Sequence, residues 1–198
     1  MRKAIVIDNL IDTKTIHRFD GFPFLVLTNH KFSDVSTDAR FMSFFKTKTT
    51  EVVDPSQFLE NKNTTIKIDD AINYLYHRGF DEIVILTDFK ISISKMLEAI
   101  ITIKKFPSLR IVFESVDESL QYFEEGTYVL NKEHSTMFSL YPWGEEAIIN
   151  LDYTLEKITK YKLSTPLENI RFFQRIVLLN VEKGAVVLIR KSGDENEN

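Results

Sequence analysis

Four aspartates carry the clearest chemical potential in this sequence. Asp8 follows the apolar run Lys3–Ile7, Asp69 and Asp70 open an amphipathic segment, and Asp88 follows the apolar run Glu82–Leu86. Carboxylates beyond the ends of buried strands are well placed to hold a divalent cation. Magnesium takes one or two carboxylates and keeps water and phosphate oxygens as its remaining ligands. Asp8, Asp69 and Asp88 are therefore the candidate metal ligands. The plainer alternative is that Asp69 and Asp70 favour a helix N-terminus and Asp88 opens a loop. Lys67 and Lys90 flank these acids. His17, His30, His77 and His134 show no ligand spacing on one helix face. Trp143, in the turn Pro142-Trp143-Gly144, offers either a stacking platform for a flat heterocycle or a packing plug.

Composition narrows the chemistry. The chain has 198 residues, no Cys and a net charge of −4. The missing Cys excludes a thiol nucleophile, a disulfide framework and a Cys-zinc site. Six scattered Gly form neither a dinucleotide fingerprint nor a P-loop. No basic patch favours nucleic acid. No apolar run approaches the ~18 residues of a membrane span, and Asp8 interrupts the N-terminal run too early for a signal peptide. The expectation is a cytoplasmic protein without nucleic-acid or membrane partners.

The elements that must position these residues change character along the chain. Lys3–Ile7, Phe22–Leu27, Glu82–Leu86 and Leu109–Phe113 read as buried strands. A short helix is expected through Ala39–Phe45 and another from Asp54-Pro55. Ile68, Ala71, Ile72 and Leu75 recur at helical spacing, with Thr65 or Asp69 as cap and Gly79 as the left-handed stop. A further helix carries the stripe Ile93, Met96, Leu97, Ile100 and Ile103 and ends at Pro107. Strands alternating with helices predict a Rossmann-like parallel sheet. Beyond residue 124, Thr127–Leu130, Thr136–Tyr141, Glu146–Leu151, Arg175–Val181 and Ala185–Arg190 are short runs broken by turn signals. They predict an antiparallel β-sandwich. The expected organisation is an α/β domain over 1–123, a β-sandwich over 124–191 and a disordered acidic tail over 192–198.

Three segments resemble the thiamine pyrophosphokinase family. Ala71–Leu86, AINYLYHRGFDEIVIL, is similar to its helix–Gly–strand framework. Met137–Glu145, MFSLYPWGE, is similar to its Ser-Leu-x-Pro strand. Lys160–Asn169 and Val181–Asp194 resemble its final strands. The likeness covers about residues 65–194. It implies diphosphoryl transfer from ATP to thiamine, magnesium held by aspartates of the first domain, and a homodimer. It also implies Lys67 and Lys90 on phosphate, and Ser139 and Trp143 as ligand-binding residues of the second domain.

The family's polar letters are mostly replaced. Arg40-Phe41-Met42-Ser43 stands where the family has Asp-Phe-Asp-Ser. Against its Lys-Thr-Asp-x-Glu, aligned without gaps, Lys67 takes the place of the Asp and Asp69 that of the Glu; a two-residue slide makes Lys67-Ile68-Asp69 match Lys-x-Asp. Thr87–Lys95 lacks the glycines, Arg, Asp and His of the family's turn. Its Ser-Asn-Glu segment has no counterpart between Asn169 and Arg175. Asp69 and Asp88 remain as the surviving acids, catalytic if catalysis persists. Phosphoryl-type transfer depends on positioning and charge neutralisation. The expectation is impaired or lost transfer, the alternatives being a diverged active enzyme and a non-catalytic binding scaffold.

Overall fold

The computed structural model describes residues 2–8, 24–27, 51–53, 67–87, 93–132, 135–154, 157–171 and 175–192. The chain divides into two compact units, Met1–Val116 and Asp117–Asn198. The expected helices at Ala39–Phe45 and from Asp54 lie outside the described residues.

The first unit is built on parallel strands β1 (Lys3–Ile7), β2 (Phe24–Leu27), β3 (Glu51–Val53), β4 (Glu82–Leu86) and β5 (Arg110–Glu114), ordered β3-β2-β1-β4-β5. Every residue of β4 is buried, as are the last four of β1. Such continuous apolar runs suit a parallel sheet covered on both faces. Lys3, Glu82 and Arg110 align at one end; Ile7, Leu86 and Glu114 align at the other. The chain leaves β1 toward β2 but later returns to β1's other side as β4. The β1–β4 crevice is therefore a topological switch point, where open α/β sheets bind ligands.

Helix α1 (Ile68–His77) buries Ala71, Ile72 and Leu75, as its spacing predicts. Its N-cap is Lys67, with extended backbone and no side-chain capping bond. Asp69 therefore lies in the first helical turn and is not the cap. The other end closes with Gly79 at φ +78°. Phe80 N donates to Leu75 O at 3.2 Å and Gly79 N to Tyr76 O at 2.9 Å. This paired closure requires a left-handed residue, which Gly supplies without a Cβ clash. Helix α2 (Ile93–Lys105) departs from the predicted stripe: Ala99, Ile100 and Ile103 are buried, whereas Ile93 is 76% and Leu97 41% exposed.

The second unit is antiparallel. Its strands are β6 (Glu118–Phe123), β7 (Gly126–Asn131), β8 (Ser135–Pro142), β9 (Ala147–Thr154), β10 (Lys157–Leu163), β11 (Leu167–Arg171), β12 (Ile176–Lys183) and β13 (Val186–Ser192). They form the orders β11-β8-β13-β6 and β10-β9-β12-β7. Phe138, Leu140, Ile149, Leu151, Val177, Leu179 and Leu188 belong to its core. Alternate residues of β12 point inward: Val177, Leu179 and Val181 are buried, and Leu178 is exposed. Arg190 lies buried on β13, donating to Gln121 Oε1 at 3.1 Å and Asn131 O at 3.0 Å.

Candidate functional site

In the first unit the polar positions form a row one residue beyond the paired ends of β1, β4 and β5. Asp8, Thr87 and Ser115 occupy it, and all three are buried. The ladder continues into the row: Asp8 N donates to Leu86 O at 2.8 Å and Thr87 N to Glu114 O at 3.0 Å. A carboxylate and two hydroxyls on three adjacent strands thus mark the carboxyl edge. They are of a kind that binds phosphate, sugar hydroxyls or a hydrated cation. Thr87 and Ser115 were not singled out in the sequence. Their signal is a small polar letter placed directly after a buried apolar run.

The other sequence candidates of this unit are placed differently. Asp69 forms an ion pair with Lys105 from the last turn of α2. That turn leads into the amino end of β5, opposite the edge that Asp8 marks. Lys67 is exposed at the start of α1. Asp88 and Lys90 lie outside the described residues. Among the described residues no group of three or more His, Asp or Glu is placed to hold a metal ion.

In the second unit Ser139 is buried on β8. Its Oγ accepts a 3.0 Å bond from Asn169 N. Asn169 lies in a register shift of β11, between Leu167 and Ile170, with φ 54°. Asn tolerates this left-handed geometry better than most residues. Tyr141 Oη donates to Glu168 Oε1 at 3.0 Å. Burial, then the Glu168 carboxylate, raises the Tyr141 pKa. Ser139, Tyr141, Glu168 and Asn169 thereby make one polar cluster across β8 and β11.

Trp143 is half-buried. Its backbone N donates to Ala185 O at 2.8 Å, and its ring meets Tyr122 edge-on at 6.4 Å and 87°. Tyr122 Oη donates to Glu124 Oε1 at 3.2 Å. Burial first and Glu124 second push the Tyr122 pKa up to about 12. This phenol remains a neutral donor across the physiological range.

No protein-family model matches the sequence, and no curated protein matches it. Solved structures do. Thiamin pyrophosphokinase from Geobacillus thermodenitrificans aligns with TM-score 0.68 and 15% identity, covering 99% of each chain. The Bacillus subtilis enzyme aligns at 0.67 and 15%, covering 97% of this chain and 100% of the other. Yeast thiamin pyrophosphokinase aligns at 0.55 and 8%, covering 96% and 86%. The likeness seen over residues 65–194 thus extends, as structure, over nearly the whole chain. Two units, one parallel with helices and one antiparallel, reproduce at low identity the fold of the thiamine pyrophosphokinases.

Proposed function

We propose that this chain is a thiamine-pyrophosphokinase-like protein in which diphosphoryl transfer from ATP to thiamine is impaired or lost. The observation that carries the reading is the state of Asp69. It stands at the acidic position of the family motif, yet Lys105 engages its carboxylate. The replaced letters at Arg40, Met42 and Lys67 point the same way. Neutralising phosphate charge is the main task in such a transfer, and an acid already paired with an ammonium contributes little to holding a cation.

In this reading the carboxyl edge remains the phosphate side of the site. Asp8 and Asp88 are the acids best suited to magnesium, Asp69 is the weaker third, and Lys67 and Lys90 reach phosphate. Ser139 and Trp143 hold the thiamine side. ATP and magnesium are cofactors only to the extent that transfer survives, and the chain works as a homodimer in the cytoplasm.

Incubation with thiamine, ATP and magnesium, with AMP and thiamine diphosphate measured, tests the proposal. The expected result is AMP release near the blank, with thiamine still giving heat on binding. Robust turnover that disappears in Asp69→Ala would overturn it in favour of a diverged active enzyme. Absence of both turnover and binding heat would leave a scaffold for some other ligand.

A further inference from the structure

Trp143 is the chain's only Trp, and it sits in a turn. Connecting segments are the more mobile parts of a fold, so a large ring there is loosely held unless its surroundings fix it. Here it is fixed twice, once through its backbone and once through its ring. The backbone tie is the 2.8 Å bond from Trp143 N to Ala185 O. It joins the β8–β9 turn to the β12–β13 turn. Gly184 lets these two turns approach, since a Cβ there would lie 2.7 Å from Glu146 O. Lys183 Nζ meets Glu146 Oε1 across the same junction at 3.0 Å.

The ring tie is Tyr122 on β6, edge-on at 87° with centroids 6.4 Å apart. Edge-to-face packing is a favoured geometry for aromatic pairs. It fixes the plane of the indole only if Tyr122 is itself fixed. Tyr122 Oη donates to Glu124 Oε1 at 3.2 Å. Glu124 and Glu125 link β6 to β7, and this link is anchored in its own right. Tyr128 Oη donates to Glu124 O at 3.0 Å, and the Tyr128 ring packs 4.4 Å from that of Phe123 in the core. Gly184 N donates to Glu125 Oε1 at 3.3 Å. The three turns thus form a closed circuit. It runs from Trp143 to Ala185, from Gly184 to Glu125, and from Glu124 through Tyr122 back to Trp143.

A ring whose task was to fill the core would be covered. Trp143 is partly exposed and lies outside the buried core cluster of this unit. A partly exposed ring held in one orientation suits stacking on a flat ligand, because less side-chain freedom is lost on binding.

We propose that Tyr122, held by Glu124, is a positioning residue that orients Trp143 for stacking on a flat heterocycle. Tyr122 acts through the indole, and Glu124 acts through Tyr122. This role rests on the functional reading in which Trp143 holds the thiamine side, and it adds two residues to that reading. It does not depend on whether diphosphoryl transfer survives.

Because Trp143 is the only Trp, the fluorescence of the indole reports on it alone. The test combines its anisotropy decay without ligand, its quenching by thiamine, and calorimetry of thiamine binding. Thiamine should quench Trp143 in the wild type. Tyr122→Leu should speed the ligand-free anisotropy decay and weaken thiamine binding about 2- to 10-fold, the effect of freeing one side chain. Glu124→Ala should act in the same direction. Glu124→Gln keeps an acceptor for the phenol and should return both readings to near wild type. Adding Glu124→Ala to Tyr122→Leu should change nothing further, because the two residues act in series. Circular dichroism should be unchanged across the set. A merely structural pair would lower the urea midpoint but leave ring mobility and affinity in the folded protein unmoved. Thiamine affinity and anisotropy that stay at wild-type values in Tyr122→Leu would overturn the proposal and leave the functional reading standing. Binding heat without quenching of Trp143 would do the same. A wild type that gives no binding heat would overturn the functional reading, and the proposal with it.

Discussion

At the scale of single residues, Gly184 is the most tightly enclosed of the described glycines. It joins β12 to β13 at φ +80°, and a Cβ there would meet Glu146 O at 2.7 Å. That neighbour is backbone and cannot step aside. Gly184→Ala should cost on the order of 2–3 kcal/mol, read as a lower urea midpoint. Gly144→Ala, at φ +106° with open space around it, should cost visibly less. Tyr122 makes a second residue-scale prediction. Its folded pKa of about 12 lies above the ordinary value near 10. Between these values the folded state holds the proton more tightly than the unfolded chain. The stabilisation is fully present below pH ~10 and is lost as pH rises toward ~12. Absorbance titration of tyrosinate should show Tyr122 among the late phenols, beside the raised Tyr128 and Tyr141, and one late phenol fewer in Tyr122→Phe. Glu146 and Glu182, whose lysine partners lower their pKa values, act in the opposite sense. Their contribution is present above the usual carboxylate range and is lost as pH falls through the lowered values.

At the scale of elements, the Asp69–Lys105 pair joins α1 to α2 on a partly exposed surface. Lys105→Ala should change stability by less than about 1 kcal/mol. Leu75→Ala, in the buried stripe of α1, should cost about 2–5 kcal/mol. Denaturation of both variants separates a surface tie from a core contact. Helix α1 was legible because Ala71, Ile72 and Leu75 are its apolar face and Gly79 its stop. The buried face of α2 was not. Met96, Leu97, Ile100, Ile101 and Ile103 spread over an arc of about 160°, wider than the face that is buried, and the buried edge falls on Ala99, Ile100 and Ile103. Strand β10, KITKYKL, is interrupted by lysines at 157, 160 and 162 and offers no continuous apolar run, and β11, LENIR, offers still less. Both are held in place by pairing with β9 and β8, a non-local cause that a local reading does not see.

At the scale of the whole molecule, the passage from strands alternating with helices to short strands alone was readable from the change of side-chain period, whereas the antiparallel strand β6 (Glu118–Phe123), which precedes residue 124, was not. The site was readable only in part. Of the buried polar row at the carboxyl edge, Asp8 was named from the sequence, whereas Thr87 and Ser115 stand out only when β1, β4 and β5 align. The same logic limits repair of any lost chemistry. Lys67→Asp would return one family acid while leaving Arg40 and Met42 unchanged. AMP release by this variant should stay near the blank. Turnover raised well above wild type would show that one position had been limiting.

The shift in β11 has a consequence for crowded solutions. β11 is the outermost strand of its sheet order, and a flat outermost strand is a template for runaway stacking into aggregates. The left-handed Asn169 bends that border and spends its N–H on Ser139, so a passing strand finds an irregular, partly used ladder. Deleting Asn169 to straighten the strand should increase light scattering on storage before it alters anything at the carboxyl edge of the parallel strands.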